Sequence, residues 1–257
     1  MKGKIYLLTV LLLFLLSCNT QQNRVSEKTQ QQEFNDFLNS KKEMEYRQGN
    51  DIQEKEFKKQ FEKDLSTYLD SVKLFVNWKG QIKDIKTTEY GQSTLLEFEI
   101  LYNPEKYREI TFECSHIIKT VELDSDYLYN KVKNLSNYST IYVDGFIKRK
   151  MDNSVSYYME GLFDQHISYP HYKFNVVKIN EDLKADTLSD NLQRAISIDF
   201  EIMDLFKQEF QKKINQKERD EKAKSLQFDS IQSVLTEDEK QYSQRIRQYL
   251  LNDFMNE

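Results

Sequence analysis

Apolar residues recur at every second position through most of residues 76–179, and this alternation limits the fold more than any other feature of the sequence. A period of two places apolar side chains on one face of a β-strand and polar side chains on the other. The clearest runs are centred on Trp78, Phe98, Phe112 and Val143. Half-buried strands must share a core with other strands, so this region predicts a small β-barrel or β-sandwich.

A short helix interrupts the alternation. Over residues 124–135 the apolar spacing becomes that of a helix, which Asp124 or Ser125 can cap. Period two resumes in residues 139–150, where Gly145 marks a bend or a bulge. Two further strands are predicted, at residues 157–162 and 172–179.

The order of these elements resembles an OB-fold, in which a helix separates the third and fourth strands of a small barrel. The resemblance covers about residues 74–180, and its most telling segments are 77–82, 127–135 and 141–145. It is similar to the tRNA-anticodon-binding-like branch of that fold. The resemblance implies an α+β protein built on a five- to six-stranded OB-like antiparallel β-barrel. A different small barrel or a sandwich stays open.

Amphipathic helices are predicted before and after the barrel. Residues 51–73 place Phe61, Leu65 and Leu69 at a spacing of four, which is typical of a helix with one apolar face. Residues 181–257 form a charged C-terminal helical region whose apolar stripes are best explained by packing on the chain's own barrel. Contact with another copy or another protein is the alternative.

The N-terminus has the pattern of a secretory signal. Lys2 and Lys4 precede an apolar run over residues 5–16, and Ser17 and Cys18 follow directly. A basic start, a short apolar segment and a small residue before the cleavage site are typical of such signals. The run is too short to span a bilayer, which takes roughly 20 apolar residues.

The tetrapeptide Leu-Leu-Ser-Cys that ends at Cys18 resembles the lipobox of bacterial lipoproteins. The resemblance implies that residues 1–17 are a cleaved signal peptide and that Cys18 carries the lipid, with several acyl chains that hold the protein on a membrane. An ordinary signal peptide and an uncleaved anchor are the alternatives. No aspartate follows Cys18, so we expect a lipid-anchored cell-envelope protein on the outer membrane, facing the periplasm.

Residues 18–50 are polar and are predicted to be a tether with at most one weak helix, since polar segments bury little surface. The only other cysteine, Cys114, lies on the apolar phase of a strand and is expected to be a buried, inert thiol. Loss of Lys2 and Lys4 with the signal takes the formal charge from -5 to -7. An acidic protein of this kind does not hold nucleic acid by bulk attraction.

The sequence offers no recognisable catalytic or metal site. The histidines, His116, His166 and His171, lack the regular spacing of metal ligands, and neither a nucleophile elbow nor a phosphate loop is present. Three carboxylates are expected to lie near one another in the sheet, and Lys79 and Lys83 are expected to pair with them across strands. Those carboxylates are Glu97, Glu99 and Glu113. We therefore expect no enzyme activity and no cofactor.

Exposed aromatic residues are the best candidates for a contact surface. Trp78 lies on the inward phase of its strand and is predicted to be core. Tyr142 and Phe146 lie on the outward phase of a later strand, and with Tyr158 they form the candidate contact patch. Cover by one of the predicted helices, that of Phe57 or that of Phe210, is the more economical explanation of the first two.

These features together predict a lipid-anchored, non-catalytic module for protein interaction or scaffolding, with an envelope protein as its partner. The alternative is a ligand-binding module in which the barrel takes an oligosaccharide, a cell-wall fragment or a peptide. The acidic outer face of the predicted strands argues against nucleic acid, because a binding face for it needs cationic and aromatic side chains. The oligomeric state does not follow from the sequence.

Overall fold

The computed structural model describes residues 29–45, 50–105, 108–157, 169–183 and 187–255. Its strands are β1 (Phe75–Tyr90), β2 (Ser93–Glu105), β3 (Arg108–Lys119), β4 (Thr140–Ile147) and β5 (His171–Asn180). They form a closed barrel in the order β1-β2-β3-β5-β4. Neighbours are antiparallel except β3 and β5, which are parallel. The predicted α+β barrel is thus confirmed. It has five strands, and one of its strand pairs is parallel.

Helices lie before, within and after the strands. They are α1 (Gln30–Glu45), α2 (Asp51–Val72), α3 (Tyr127–Val132), α4 (Asp190–Phe210), α5 (Gln216–Ser225), α6 (Phe228–Val234) and α7 (Glu237–Met255). A 3-10 helix, Thr120–Ser125, precedes α3, and the N-cap of α3 is Asp126 rather than either predicted residue. None of the helices in the described part of the chain is both long and apolar enough to cross a membrane.

The barrel interior is aromatic, and the predicted inward phase is confirmed. Trp78 is 2% exposed and packs on Phe75 and Phe112, with ring centroids 4.2 and 5.4 Å apart. Cys114 is also buried, and burial raises the pKa of its thiol well above the usual value. A Cβ on Gly145 would lie 2.3 Å from the Asn175 carbonyl oxygen. Glycine is therefore required where β4 shifts register against β5.

The prediction of a tether over residues 18–50 is wrong for the part that forms α1. Phe34 and Leu38 are fully buried there, and Phe34 contacts Tyr68, Trp78 and Tyr172. A few apolar residues suffice to fix a polar helix when the barrel supplies the rest of the apolar surface. The structure describes residues 29–45 and residue 50 of this stretch.

The C-terminal helices pack on the barrel and on one another, which the sequence left undecided. Phe146 of β4 and Val177 of β5 share an apolar cluster with residues of α4 and α7. The Phe200 ring of α4 meets the Phe146 ring edge-on, with centroids 5.3 Å apart. Phe146 is consequently 4% exposed and not part of an exposed contact patch. The alternative explanation, cover by the helix that ends at Phe210, is the correct one.

The strand predicted at residues 157–162 is described only at its first residue. Tyr157 makes an isolated bridge to Tyr172 of β5. The rest of that stretch, including Tyr158 and Leu162, lies outside the described residues.

Candidate functional site

A cleft of about 700 Å³ lies between α7 and the end of the barrel where β3 leads into α3. His116, Asp126 and Tyr249 form its floor. One wall is the end of β3, with Ile117 and Lys119. The other wall belongs to α7 and carries Gln241, Gln244, Arg245, Gln248 and Asn252. A cleft of this size is large enough to bind a small ligand or a short peptide.

The pattern of α7 explains why amides face the cleft. Gln241, Gln244, Gln248 and Asn252 are three or four residues apart and therefore share one side of the helix. Tyr242, Ile246, Tyr249 and Leu250 are buried on another side. Thr236 and Glu239 hold the start of the helix through reciprocal hydrogen bonds, from the Thr236 N–H to Glu239 Oε2 (2.8 Å) and from the Glu239 N–H to Thr236 Oγ1 (3.3 Å).

The floor of the cleft is a chain of hydrogen bonds that joins β3, α3 and α7. Asp126 accepts a hydrogen bond from the Tyr129 N–H (2.8 Å), and its other oxygen lies 2.8 Å from His116 Nε2. The Tyr249 hydroxyl is 3.4 Å from His116 Nδ1. Burial disfavours the Asp126 carboxylate, yet the bonds from His116 and Tyr129 outweigh burial and lower its pKa. Burial raises the pKa of Tyr249, so its hydroxyl stays neutral.

The groups in the floor and on the α7 wall of the cleft are suited to hydrogen bonding. A tyrosine whose pKa is raised is a poor nucleophile and a poor base at neutral pH. Its hydroxyl, the imidazole and the side-chain amides of α7 are groups that can donate and accept hydrogen bonds. The cleft therefore presents several hydrogen-bonding side chains in one concave surface, together with the charged residues Lys119, Glu122 and Arg245.

One cation is held at the inner end of the cleft. The Arg245 guanidinium stacks over the Tyr127 ring at 4.4 Å, and its Nε donates to the Val177 carbonyl (2.9 Å). Within the described residues no carboxylate lies within 4.0 Å of it. Glu122 and Asp126 also line the cleft, but a stacked and fixed guanidinium that makes no ion pair with them is a natural partner for an anionic group of a ligand.

Exposed apolar side chains lie on the elements that line the cleft. Ile117 is 67% exposed and Val121, two residues beyond the end of β3, is 90% exposed. Leu251 and Met255 of α7 are also exposed, and they lie three and seven residues beyond Gln248 on its side of the helix. Exposed apolar residues beside a polar cleft are typical of a contact surface.

The structure does not bring the predicted contact residues together in this cleft. Tyr142 is half-buried on β4 and pairs with Lys79 of β1 and Asn180 of β5. Phe146 is buried, and Tyr158 lies outside the described residues. Cys18 lies outside them as well, so lipid attachment stays a prediction.

The histidines and carboxylates of the sequence analysis have ordinary surroundings, apart from His116. His171 begins β5 and is half-buried, which lowers its pKa, whereas His166 lies outside the described residues. In the part of the chain that the structure describes, no group of three His, Cys, Asp or Glu side chains can hold a metal ion.

The predicted salt-bridged face of the sheet is confirmed. Lys83 pairs with Glu99 at 3.1 Å, and Lys86, not Lys79, pairs with Glu97 at 3.6 Å. Glu113 lies opposite Glu99, and burial raises its pKa. The outer face of β2 and β3 is therefore acidic and partly neutralised by lysines.

Sequence reasoning missed the amides of α7 and the role of His116. The available signal was that four neutral amides share one side of a helix in a chain that is 31% charged. Tyr249 was placed in the apolar stripe of that helix, which is correct for its ring. Its hydroxyl reaches His116 only because α7 folds back on β3, and no local pattern encodes that contact.

Comparisons with known proteins assign no family. No protein-family model matches this chain, and no curated protein shows significant sequence similarity to it.

Proposed function

We propose that this protein is a lipid-anchored component of a bacterial cell envelope that acts as a non-catalytic protein-interaction or scaffolding module. The cleft between β3 and α7 is its contact surface. The observation that carries the proposal is the composition of that cleft, in which one wall carries side-chain amides and the elements that line the cleft also carry exposed apolar residues. This is the make-up of a protein contact surface, with a polar interior that can be fully hydrogen-bonded by a partner.

The strand order supports an OB-like barrel. The order β1-β2-β3-β5-β4, the parallel contact of β3 with β5, and a helix between β3 and β4 agree with the pattern on which the resemblance rests. On this proposal the protein uses an OB-like framework, of the tRNA-anticodon-binding-like branch, without nucleic acid. The acidic residues on the outer face of β2 and β3, Glu97, Glu99 and Glu113, repel a phosphate backbone.

The position of α1 supports a partner in the same membrane layer. Cys18 and Gln30, the first residue of α1, are 12 positions apart, so the connecting chain spans at most about 40 Å when fully extended. A barrel held this close to its lipid meets envelope proteins rather than soluble ones. The anchor itself rests on the lipobox resemblance at Cys18.

The test combines intact-mass measurement with in-cell cross-linking of four proteins. Wild type is expected to carry a lipid mass and to give one recurrent cross-linked protein, whereas Cys18→Ala loses both. A cleft variant, Gln244→Lys with Gln248→Lys, is expected to keep the lipid and lose the partner. Gln216→Lys on exposed α5 is the matched control and keeps both.

Two results would contradict the proposal in different ways. If Cys18 is unmodified, the protein has no lipid anchor there, and a soluble secreted protein becomes the better explanation. If the cleft variant retains the partner at wild-type yield, the contact surface lies elsewhere on the molecule.

A second candidate function is a ligand-binding module for an oligosaccharide or cell-wall fragment. The observation that favours it is Arg245 stacked on Tyr127 beside several amides, since sugars are bound by hydrogen-bonding side chains and by aromatic rings. Thermal shifts against a panel of envelope glycans test it. A shift that Arg245→Gln abolishes supports this function, and a flat panel rejects it.

A further inference from the structure

One edge of β3 lies open inside the cleft. β3 pairs with β2 up to Lys119, but with β5 only from Thr111 to Cys114. β5 then pairs with β4 along the rest of its length. Within the described residues no strand lies along the second edge of β3 after Cys114. The segment that includes Ile117 is therefore a strand edge that faces α7 across the cleft.

Backbone hydrogen bonds establish which peptide groups face this edge. The Thr111 N–H donates to the Pro170 carbonyl on the β5 side (2.9 Å), and the Thr120 N–H donates to a carbonyl in the β1–β2 turn (2.8 Å). Pairing of β3 with β2 is unbroken over this stretch. Successive residues of a strand direct their peptide groups to opposite edges. The N–H and C=O of Ile117 and the N–H of Lys119 therefore face away from β2.

The exposure of the Ile117 side chain agrees with a strand edge that no other described strand covers. It is 67% exposed, although Ile118 beside it is 3% exposed. Exposed strand edges are commonly blocked by a bulge, a proline or a covering element because they recruit other strands. None of these blocks the described edge at Ile117, and the cleft leaves room beside it.

The opposite wall can hydrogen-bond the other side of an inserted strand. Gln244, Gln248 and Asn252 line it, and each side-chain amide has both donors and an acceptor, as a peptide group has. Arg245 adds a positive charge with no carboxylate within 4.0 Å among the described residues. An occupant of this space should thus be an extended chain with an acidic side chain.

We infer that the cleft binds an extended polypeptide segment as an added strand on the edge of β3, with an Asp or Glu of that segment paired to Arg245. The inference rests on the proposed interaction function and deepens it by naming the kind of contact. Strand addition derives affinity from main-chain hydrogen bonds and specificity from side-chain pockets. The amides of α7, Arg245 and the exposed apolar residues beside the cleft provide those pockets.

The first test uses the unbound protein and amide hydrogen exchange by NMR. The N–H groups of His116 and Ile118 point toward β2, whereas those of Ile117 and Lys119 point into the cleft. We expect the second pair to exchange at least about ten-fold faster than the first. Equal protection of all four amides would mean that the edge is already paired, which overturns the inference.

The second test pans a phage-displayed library of random peptides against the full mature chain. Ile117→Pro removes the N–H that faces the cleft without removing a bond to β2, and proline is tolerated on strand edges of this kind. Ile117→Val is the matched control, because it keeps the N–H and the branched side chain. Enriched peptides should carry an acidic residue and bind Ile117→Pro about ten-fold more weakly than Ile117→Val.

Two additional measurements keep the test decisive. Arg245→Gln should weaken the same peptides about ten-fold by removing the charged partner. If Ile117→Pro does not fold, N-methylation of alternate peptide bonds in the best peptide replaces it, and only one alternate set should abolish binding. Peptides that bind all variants equally, or a library without enrichment, overturn strand addition.

Failure of this inference can be told apart from failure of the proposed function. If the cross-linked envelope partner is lost with the Gln244 and Gln248 variant but kept by Ile117→Pro, the cleft is the contact surface and the added strand is wrong. If the partner is kept by both variants, the proposed function is wrong about the surface.

Discussion

The two helical layers cover the barrel by different means. On the N-terminal side, α1 and α2 seal it with aromatic rings, and Phe34 lies at the centre with five ring neighbours within 6.4 Å. On the C-terminal side, buried carboxylates lie where α4 and α7 meet the barrel, with Asp199 of α4 2% exposed and Asp144 of β4 3% exposed. Aromatic burial stabilises at any pH, whereas buried carboxylates make stability depend on pH. The second layer is also the one that leaves a cleft open.

Even the polar contacts differ between the layers. Beneath α1 the buried cation Arg108 has neutral partners, Asn35 and Asn39, and no carboxylate among the described residues lies within 4.0 Å of it. Between α4 and α7, Asp199 accepts from the Ser243 hydroxyl (2.6 Å) and lies 3.6 Å from Arg247 Nε. The N-terminal layer thus covers a buried cation and the C-terminal layer covers buried carboxylates, and the following predictions compare what these groups and the rings contribute.

The largest effect is expected from Phe34→Ala. This side chain is fully buried, so its loss should lower the free energy of unfolding by about 3–5 kcal/mol in urea titrations. Phe210→Ala is the control, because that ring is 69% exposed, and it should cost less than about 1 kcal/mol. A loss below about 1 kcal/mol for Phe34→Ala would mean that α1 does not pack on the barrel and belongs to the predicted tether.

The next largest effect is pH-dependent and concerns Asp199. Burial raises its pKa from an ordinary value of 3.8 to about 6. The hydrogen bond from Ser243 and the charge of Arg247 act in the opposite direction and only partly offset burial. Its native form thus binds a proton more tightly than the unfolded form, so stability falls as pH rises through this window. Relative to Asp199→Asn, wild type should gain up to about 3 kcal/mol between pH 7 and pH 3.5. A pH-independent difference between the two proteins would contradict this assignment.

A smaller loss is expected from Asn39→Ala. Its side chain accepts a hydrogen bond from Arg108 and donates one to Glu105 (2.9 Å), so the change leaves a buried cation with one partner fewer. The expected cost is about 2 kcal/mol in chemical denaturation. Asn134→Ala, at an exposed turn residue just after α3, is the control and should change stability by less than about 0.5 kcal/mol. Equal effects would show that Arg108 is solvated in solution.

The smallest effect is expected from Asp126→Asn in the floor of the cleft. Asparagine caps a helix as well as aspartate does, so the change mainly weakens the contact with His116 and should cost about 1 kcal/mol at pH 7. Because the pKa of Asp126 is lowered from 3.8, its contribution is present above that value and is lost as pH falls through the lowered pKa. The sign is opposite to that of Asp199. A cost that persists at pH 2 would point to the cap instead of the ion pair.

The barrel was predictable from the sequence to the level of strands and order, because strand periodicity is local. Trp78, Phe98, Phe112 and Val143 alternate with polar residues, and each is buried as that pattern requires. The prediction that α1 belongs to a tether failed because it rested on the composition of residues 18–50 alone, without the contacts they make with the rest of the chain. Phe34 gains its stability from rings on α2 and in the barrel, which local composition cannot register.

The candidate site was the least predictable part of the molecule. Outward-phase aromatics on β4 were chosen, yet α4 covers Phe146 and leaves it buried. His116 was considered only as a metal ligand and set aside, and its partners Asp126 and Tyr249 come from outside its own strand. His116 and Tyr249 are 133 positions apart in the sequence, so their contact depends on the direction in which α7 packs on the barrel. Hydrophobic periodicity and helix propensity do not specify that direction.

The sequence by itself determined which stretches form strands and helices, which side chains enter the barrel, and that Cys18 follows the pattern of a lipid attachment site. Each of these depends on spacing along a few turns or one strand. Only the tertiary structure decided that α1 joins the core, that α4 covers β4, and that β5 leaves β3 after Cys114. The last of these creates the open edge and the cleft, because strand pairing and helix docking depend on contacts between residues far apart in the chain.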